Sequence, residues 1–464
     1  MKTLFKVTKL ALFLLIFMSC SDDDDTIFIP DSNTIVDYIT NKSEYSLLLE
    51  ALEKTELDVV LNGTGTFTVF APNNEAFTSF LNGIALDDVS IDVLEQLLLN
   101  HVLNTRVESE SLSTGYVKNL AEESTTSANI SMYINTADGQ VVVNGESTVT
   151  QADIMTDNGV IHVVDKVISL PTMLTFAAAD ANFSTLATVA TTTSGFETDF
   201  GSVLSAPDSK LTLLAPDNEA FESLGDISGV PVETIEQILL NHVIAGVNIS
   251  SSLSTGYGNT LASYSDTDAN LSIYIDTTDG VSFNGVSEVT EADIVATNGT
   301  LHKVNMVIGL PTVVTFASAD SNFSTLVSAL TTLTPATDFA SILSRTTGDN
   351  MDGINPSFTV FAPVNSAFDA LSEIPDEDGL TPILLHHVIS EANVRSGDLS
   401  NGLVTPGTLE GDALTVMIPG TNDAIANLED GAGNSDIEII AVDVQAVNGV
   451  IHAINKILIP DTTN

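Results

Sequence analysis

The chain has 464 residues, 44% of them apolar and 16% charged, so it is folded, with room for about three domains of roughly 150 residues. Lys+Arg 13 against Asp+Glu 62 leaves a net charge of −49, which repels phosphate backbones and anionic headgroups and argues against nucleic acid as a partner. A single cysteine excludes an internal disulfide framework or a cysteine-built metal centre.

Residues 1–20 read MKTLFKVTKLALFLLIFMSC: three lysines, the apolar run Leu10 to Met18, then Ser19 and Cys20. The run is about half the ~20 residues that cross a bilayer as a helix, so it reads as a signal peptide and not as an anchor. Cys20 at its end resembles the lipobox cysteine of bacterial lipoproteins, which implies lipidation of its sulfur. Residues 21–32, opening on Ser21 and four aspartates, read as an acidic tether. The tract resembles a sorting signal for the exterior of a Gram-negative outer membrane, so membrane contact is expected through the lipid alone.

From there the sequence repeats itself. SLSTGY occurs at 111–116 and at 252–257, an offset of 252 − 111 = 141 residues. TFTVFAPNNEAF (66–77), KLTLLAPDNEAF (210–221) and SFTVFAPVNSAF (357–368) align, as do DNGVIHVVDKVISLP (157–171), TNGTLHKVNMVIGLP (297–311) and VNGVIHAINKILIP (447–460). These strings divide the chain into domains at 33–170, 171–310 and 311–460. A repeat of this length is too long for a solenoid unit, so each copy needs its own core, and the near absence of linkers predicts a semi-rigid row.

Within a copy, Tyr45, Leu48, Leu49 and Leu52 have helical spacing. A β-branched strand, Thr66 to Phe70, then stops at Ala71-Pro72, where Asn73 or Asn74 caps a short helix; Asp217 repeats that chemistry. A further helix is expected from Ser90 to near Leu103, and Pro382 is expected in its first turn in copy three. Residues 131–145 and 271–285 read as hairpins turning at Asp138-Gly139 and Asp279-Gly280, whereas 415–440 reads as a longer, irregular loop. Leu170-Pro171 and Leu310-Pro311 are expected to end the last strand of their copies.

Six of the 7 histidines fall at two equivalent places per copy: His101, His242 and His387, then His162, His302 and His452; His386 is extra. The first group follows paired apolar residues at helical spacing, and the second shares a strand face with Val164, Val304 or Ile454. Both are expected as core imidazoles bonded to backbone, with no metal and no cofactor, since the repeats supply no third ligand at a constant position.

TVFAPNNEAF, LLLNHV and NGVIHVVDKV, in that order three times over, resemble the signature regions of the fasciclin domain family. The resemblance implies an α+β fold: three tandem fasciclin-like domains, each a twisted β-sandwich or wedge with short helices packed along it. It also implies a role in adhesion at the cell surface. The family's tyrosine before the helical histidine is replaced by Asn100, Asn241 and His386. QADIMTDNGVIH and EADIVATNGTLH resemble the stretch before the last signature in animal matrix members of the family, where an Asp-Ile pair has been proposed to engage integrins. By position this points to Asp153, Ile154, Asp293, Ile294, Asp443 and Val444 as adhesion residues, although an aspartate there also suits a turn-fastening role.

No nucleophile elbow, zinc-protease helix, phosphate loop or dinucleotide loop occurs, so no catalysis is expected. The acidic stretches 348–353, 375–379 and 428–436 lack the alternating oxygen ligands of a calcium loop and read as solvated turns, with divalent cations as weak counter-ions. The sequence therefore leads to a lipid-anchored adhesion or matrix-binding protein whose ligand is an unknown protein or polysaccharide. The alternative is a surface lipoprotein that binds a glycan or small molecule.

Overall fold

The structure is a computed structural model that describes residues 33–265, 267–422 and 424–461. The signal peptide, Cys20 and the acidic tether lie outside the described residues.

The first domain opens with helices α1 (Ile35–Thr40), α2 (Ser46–Lys54) and α3 (Leu57–Leu61). Thr34 starts α1 as a capping box with Asp37, and Leu48, Ala51 and Leu52 of α2 are buried. Strand β1 (Phe67–Pro72) leads to α4 (Asn74–Leu81). Asn73 caps α4 by accepting from the Ala76 N–H, while Asn74 accepts from Leu47 N and donates to Ser43 O, so one asparagine caps and the other fastens the helices together. Helix α5 (Ile91–Leu99) is capped by Ser90.

Helix α5 ends at Leu99, short of the expected Leu103, because Val102–Leu103 form β2, antiparallel to β1. The remaining strands are β3 (Gly115–Glu122), β4 (Asn129–Asn135), β5 (Val142–Val143), β6 (Ser147–Thr156) and β7 (Gly159–Val164). Their order is β2-β1-β7-β6-β5-β4-β3, antiparallel but for the β1–β7 pair, which runs in parallel from Phe67↔Gly159 to Pro72↔Val164. Both central strands are buried throughout, which is why they are apolar on both faces except at Thr68 and His162. Val69, Ala71, Ile161 and Val163 pack on the helices with Leu48, Leu97 and Leu98. The other face, with Phe70 and Val164, looks into the wedge toward Met132, Ile134 and Val143.

The same parallel pair recurs as Leu211–Pro216 with Gly299–Val304 and as Phe358–Pro363 with Gly449–Ile454. In the second domain the sheet closes into a barrel, because Gly256–Ser263 bonds to Val243–Ala245 at Thr260↔Ile244. The third domain has six strands. Its stretch 415–440 holds two three-residue strands, Thr415–Met417 and Asn427–Glu429, and the place of β3 is taken by a loop touching the sheet at Ile389↔Thr408 and Val404↔Thr415.

Two further expectations are corrected. Pro382 lies at the sixth position of helix Glu377–Leu385, which Asp376 caps; the donor it lacks would have met the carbonyl of the exposed Asp378, which water can serve. The last strand of each copy ends at Val164, Val304 or Ile454, and not at the following Leu-Pro. The reason is local: Asn100 donates to the carbonyls of Ile168 and Ser169, and Ile168 N donates to His101, so that segment bonds to side chains instead of a neighbouring strand. Asn241 and His242 hold the segment after the second domain in the same way.

Candidate functional site

The Asp-Ile pairs lie where β6 and its counterparts change register. The β6–β7 pairing shifts between Gln151 and Ile154, which lifts Asp153 into a bulge with φ 60°; Asp293 and Asp443 repeat this at 61° and 60°. Each aspartate is engaged on three sides. The Asp153 carboxylate accepts from Ser109 N (2.8 Å) and Ser109 Oγ (2.5 Å), fixing the turn Ser109–Ser111 across the sheet. Its own N–H donates to His162 Nδ1 at 3.3 Å, while His162 Nε2 donates to Val107 O at 2.9 Å. The same closed circuit joins Asp293, Ser250, His302 and Asn248, and again Asp443, Ser396, His452 and Val394.

The electrostatics follow from this arrangement. The two donors from Ser109 hold the Asp153 carboxyl below its ordinary range. Burial pushes the His302 and His452 imidazoles down, against the opposing pull of their carbonyl partners and nearby aspartates. His101, His242 and His387 sit in the turn just beyond a helix end. Nδ1 of each donates to a helical carbonyl, Leu97, Ile238 or Ile383, at 2.7 to 2.8 Å, and Nε2 accepts from the N–H of Ile168, Ile308 or Leu458. Burial lowers all three to about 4. Both nitrogens of all six imidazoles are used by backbone, which leaves none to hold an ion or move a proton.

What the aspartates face differs between copies. Ile154 is half-buried on the helical core, whereas Ile294 (1% exposed) and Val444 (6%) are covered. Their cover includes the preceding domain: Tyr133 packs in the cluster of Ile294, and Tyr274 in that of Val444. Neither aliphatic side chain is offered to a partner in this arrangement.

That packing belongs to a joint built twice. Ser131 Oγ on β4 accepts from Val295 N at 2.9 Å, and Ser272 Oγ from Gln445 N at 3.0 Å. Tyr116 stands edge-on to Phe176 and its hydroxyl donates to Asp180 at 3.2 Å; Tyr257 repeats this with Phe316 and Asp320 at 3.1 Å. The Tyr133 hydroxyl joins Asp180, and burial followed by that aspartate's charge raises the phenol to about 12. Lys118 donates across the first joint to Asp293 O, and burial lowers its ammonium to about 8. Nearby, Lys210 pairs with the buried Glu123 at 2.8 Å. Burial would raise that carboxyl, but Lys210 and the donors of Thr125 and Thr126 outweigh it and set it near 2.

The ends of the row lack this chemistry. Where Asp180 and Asp320 stand, the first domain has Lys42, with its ammonium 5.6 Å from the Tyr38 ring. No tyrosine follows Tyr274 in the sequence, so the third domain has no pair to offer. Sequence reasoning missed these joints, although SLSTGY, which contains Tyr116 and Tyr257, is absent from copy three and marks them. It also passed over Glu410 and Asp412, which the fold brings beside His386.

The fasciclin domain model matches residues 43–171, 181–311 and 321–460. The pig transforming growth factor-beta-induced protein ig-h3 is 28% identical over 458 residues, covering 94% of this chain and 59% of that protein. Human periostin is 26% identical over 425 residues, covering 88% of this chain and 45% of that protein. The chain thus spans about three fifths of the first and under half of the second. A solved domain pair from the insect cell adhesion molecule fasciclin I aligns with 57% of this chain and 96% of its own length, at 18% identity and a TM-score of 0.38. With three matches that together take up most of its length, the chain belongs to the fasciclin domain family.

Proposed function

We propose that this protein is a non-catalytic adhesion or matrix-binding lipoprotein, held by a lipid on Cys20 and displaying three domains outside a Gram-negative outer membrane. The observation that carries the reading is the pair of equivalent joints, which fix the domains in a row and leave each with its own exposed faces. Three similar surfaces at fixed spacing gain avidity for a repetitive ligand even when each contact is weak. Among the described residues no helix is long and apolar enough to cross a membrane. Within this reading Asp153 and Ile154 are the one Asp-Ile pair outside a joint, so partner contact at that turn falls on the domain nearest the anchor.

One feature favours a second reading, a ligand-binding lipoprotein. A groove of about 660 Å³ opens at the joint of the second and third domains, with Tyr257, Tyr274, Asp320, Asn365 and Asp369 on its walls. Its size and mixed lining suit a sugar or other small polar molecule.

Cells carrying the Cys20→Ala variant separate these ideas. The substitution is expected to abolish palmitate labelling and to release the protein, and attachment of cells to glycan- or matrix-coated surfaces is expected to fall with it. Labelling that persists removes the lipid anchor, and attachment unchanged in a deletion strain removes the adhesive role. Saturable binding of a soluble sugar, lost on Asp369→Ala, favours the groove.

A further inference from the structure

Two departures of the third domain from the repeat meet at one point. At the end of α5 stands Asn100 and, in the second domain, Asn241, both buried and both donating to carbonyls of the segment that leaves their domain. Each also meets a side chain from the neighbouring strand: Asn119 of β3 donates to Asn100 Oδ1 at 2.8 Å, and Thr260 to Asn241 Oδ1 at 3.1 Å. In the third domain the asparagine is His386, and the strand that faced it is gone. The loop in its place carries Thr408, Glu410 and Asp412 over the imidazole.

His386 Nδ1 lies 3.3 Å from Glu410 Oε2 and 3.2 Å from Thr408 Oγ1. One ligand atom each from His386, Glu410 and Asp412 falls within 4.8 Å of the other two. Ligands at about 2.0–2.2 Å from a shared ion stand roughly 3–4 Å apart, so a small movement of the loop closes this group. The His386 side chain has no exposure and that of Glu410 has 20%, so the ring is fixed from inside while the acids open to solvent, which gives an ion its route in. Asp412 also accepts from Asp461 N at 2.8 Å, and behind the ring Asp430 accepts from Ile459 N at 2.9 Å and from Asn434 N at 2.8 Å. These amides hold the carboxylates in place.

We infer that His386, Glu410 and Asp412 form a binding site for a divalent transition ion, for which zinc is the best match, with water completing the coordination. One imidazole and two carboxylates form a mixed nitrogen and oxygen set, which suits zinc and is foreign to the all-oxygen shells of calcium and magnesium. Capture at Nδ1 moves the ring proton to Nε2, so the long 3.4 Å contact from Gly431 N to Nε2 is given up. The hydrogen bond that Nδ1 makes to Thr408 and Glu410 is given up with it, and three ligand bonds take the place of both. The bound ion ties the domain-specific loop to the end of helix Glu377–Leu385, replacing the bridge that β3 and the asparagine make elsewhere.

The test uses the full processed chain after chelation. Zinc chloride is titrated by calorimetry, and cobalt chloride is followed by its visible d–d absorption. One equivalent is expected to bind above the diffuse background of surface acids. His386→Asn introduces the residue that the other two domains place there, and Glu410→Gln alters a part-exposed side chain. Each is expected to weaken the one-equivalent event at least about tenfold and to remove the cobalt bands, with circular dichroism confirming the fold. No saturable equivalent, or equal affinity in the parent and both variants, overturns the site; calcium binding with the same affinity overturns its assignment to zinc.

Discussion

Lowering the pH from 7 to 5 withdraws stability at three equivalent imidazoles. His101, His242 and His387 are 1–2% exposed, and each uses Nδ1 as donor to a carbonyl and Nε2 as acceptor from an amide. A second proton would set an N–H against an N–H in a buried site, so burial holds the folded group at about 4 against 6.5 when unfolded. The folded value is the lower one, so below pH 6.5 the unfolded chain takes up protons that the folded chain refuses. Stability is complete above about pH 6.5, declines as the pH falls, and levels off only below about pH 4, once the folded state also takes up the proton. The loss is about 2 kcal/mol per domain at pH 5 and approaches about 3 kcal/mol near pH 4. A domain stabilised by about 5–15 kcal/mol feels that strongly. Histidine NMR between pH 7.5 and 5.5 is expected to show these three rings flat, and urea midpoints are expected to fall as the pH is lowered through that range toward 4.5. Titration of any of the three near pH 6.5 in folded protein refutes the reasoning.

Three other outcomes follow from the geometry. Asp153→Gly keeps the φ of 60° but removes the acceptor of Ser109 N and Oγ, so unfolding free energy is expected to fall by about 1–3 kcal/mol; an unchanged urea midpoint with lost adhesion would make Asp153 a contact residue instead. Gly159→Ala puts a Cβ against Phe67 O and 2.9 Å from Ile35 Cδ1, which forces the parallel β1–β7 pair apart, and a loss above about 3 kcal/mol or failure to fold is expected by circular dichroism. Asp180→Ala leaves the Tyr116 and Tyr133 hydroxyls without their shared acceptor, so X-ray scattering is expected to report a wider range of orientations between the first two domains at little change in the third; a scattering curve identical to the parent's would show that the joint does not depend on this group.

Much of a single domain can be read locally. The strings around Phe67 and Gly159 are mostly apolar on both faces because their strands are buried on both sides, and Asn73, Asp217 and Ser90 declare helix starts through their own side chains. The end of α5 could not be read this way. Leu97 to Leu103 is apolar on both sides of Asn100 and His101, which themselves are compatible with a helix, and only pairing of Val102 and Leu103 with β1 decides that the helix stops. Pro382 misled for a related reason, since helix Glu377–Leu385 takes its start from Asp376 and tolerates the proline at a water-facing turn.

Sequence by itself determined that there are three alike α+β domains, because repeated short strings encode repeated caps, turns and strands. It also set six of the seven histidines at two equivalent places per domain, since the residues around those six recur with them. Tertiary structure alone decided what lies between domains. Tyr133 covers Ile294 from far upstream, and the exchange of Asn100 for His386 matters only because a loop brings Glu410 and Asp412 above it. The physical reason is range: propensity and capping act over a few residues, whereas burial and ion-ligand geometry depend on segments that only the folded chain brings within a few ångströms.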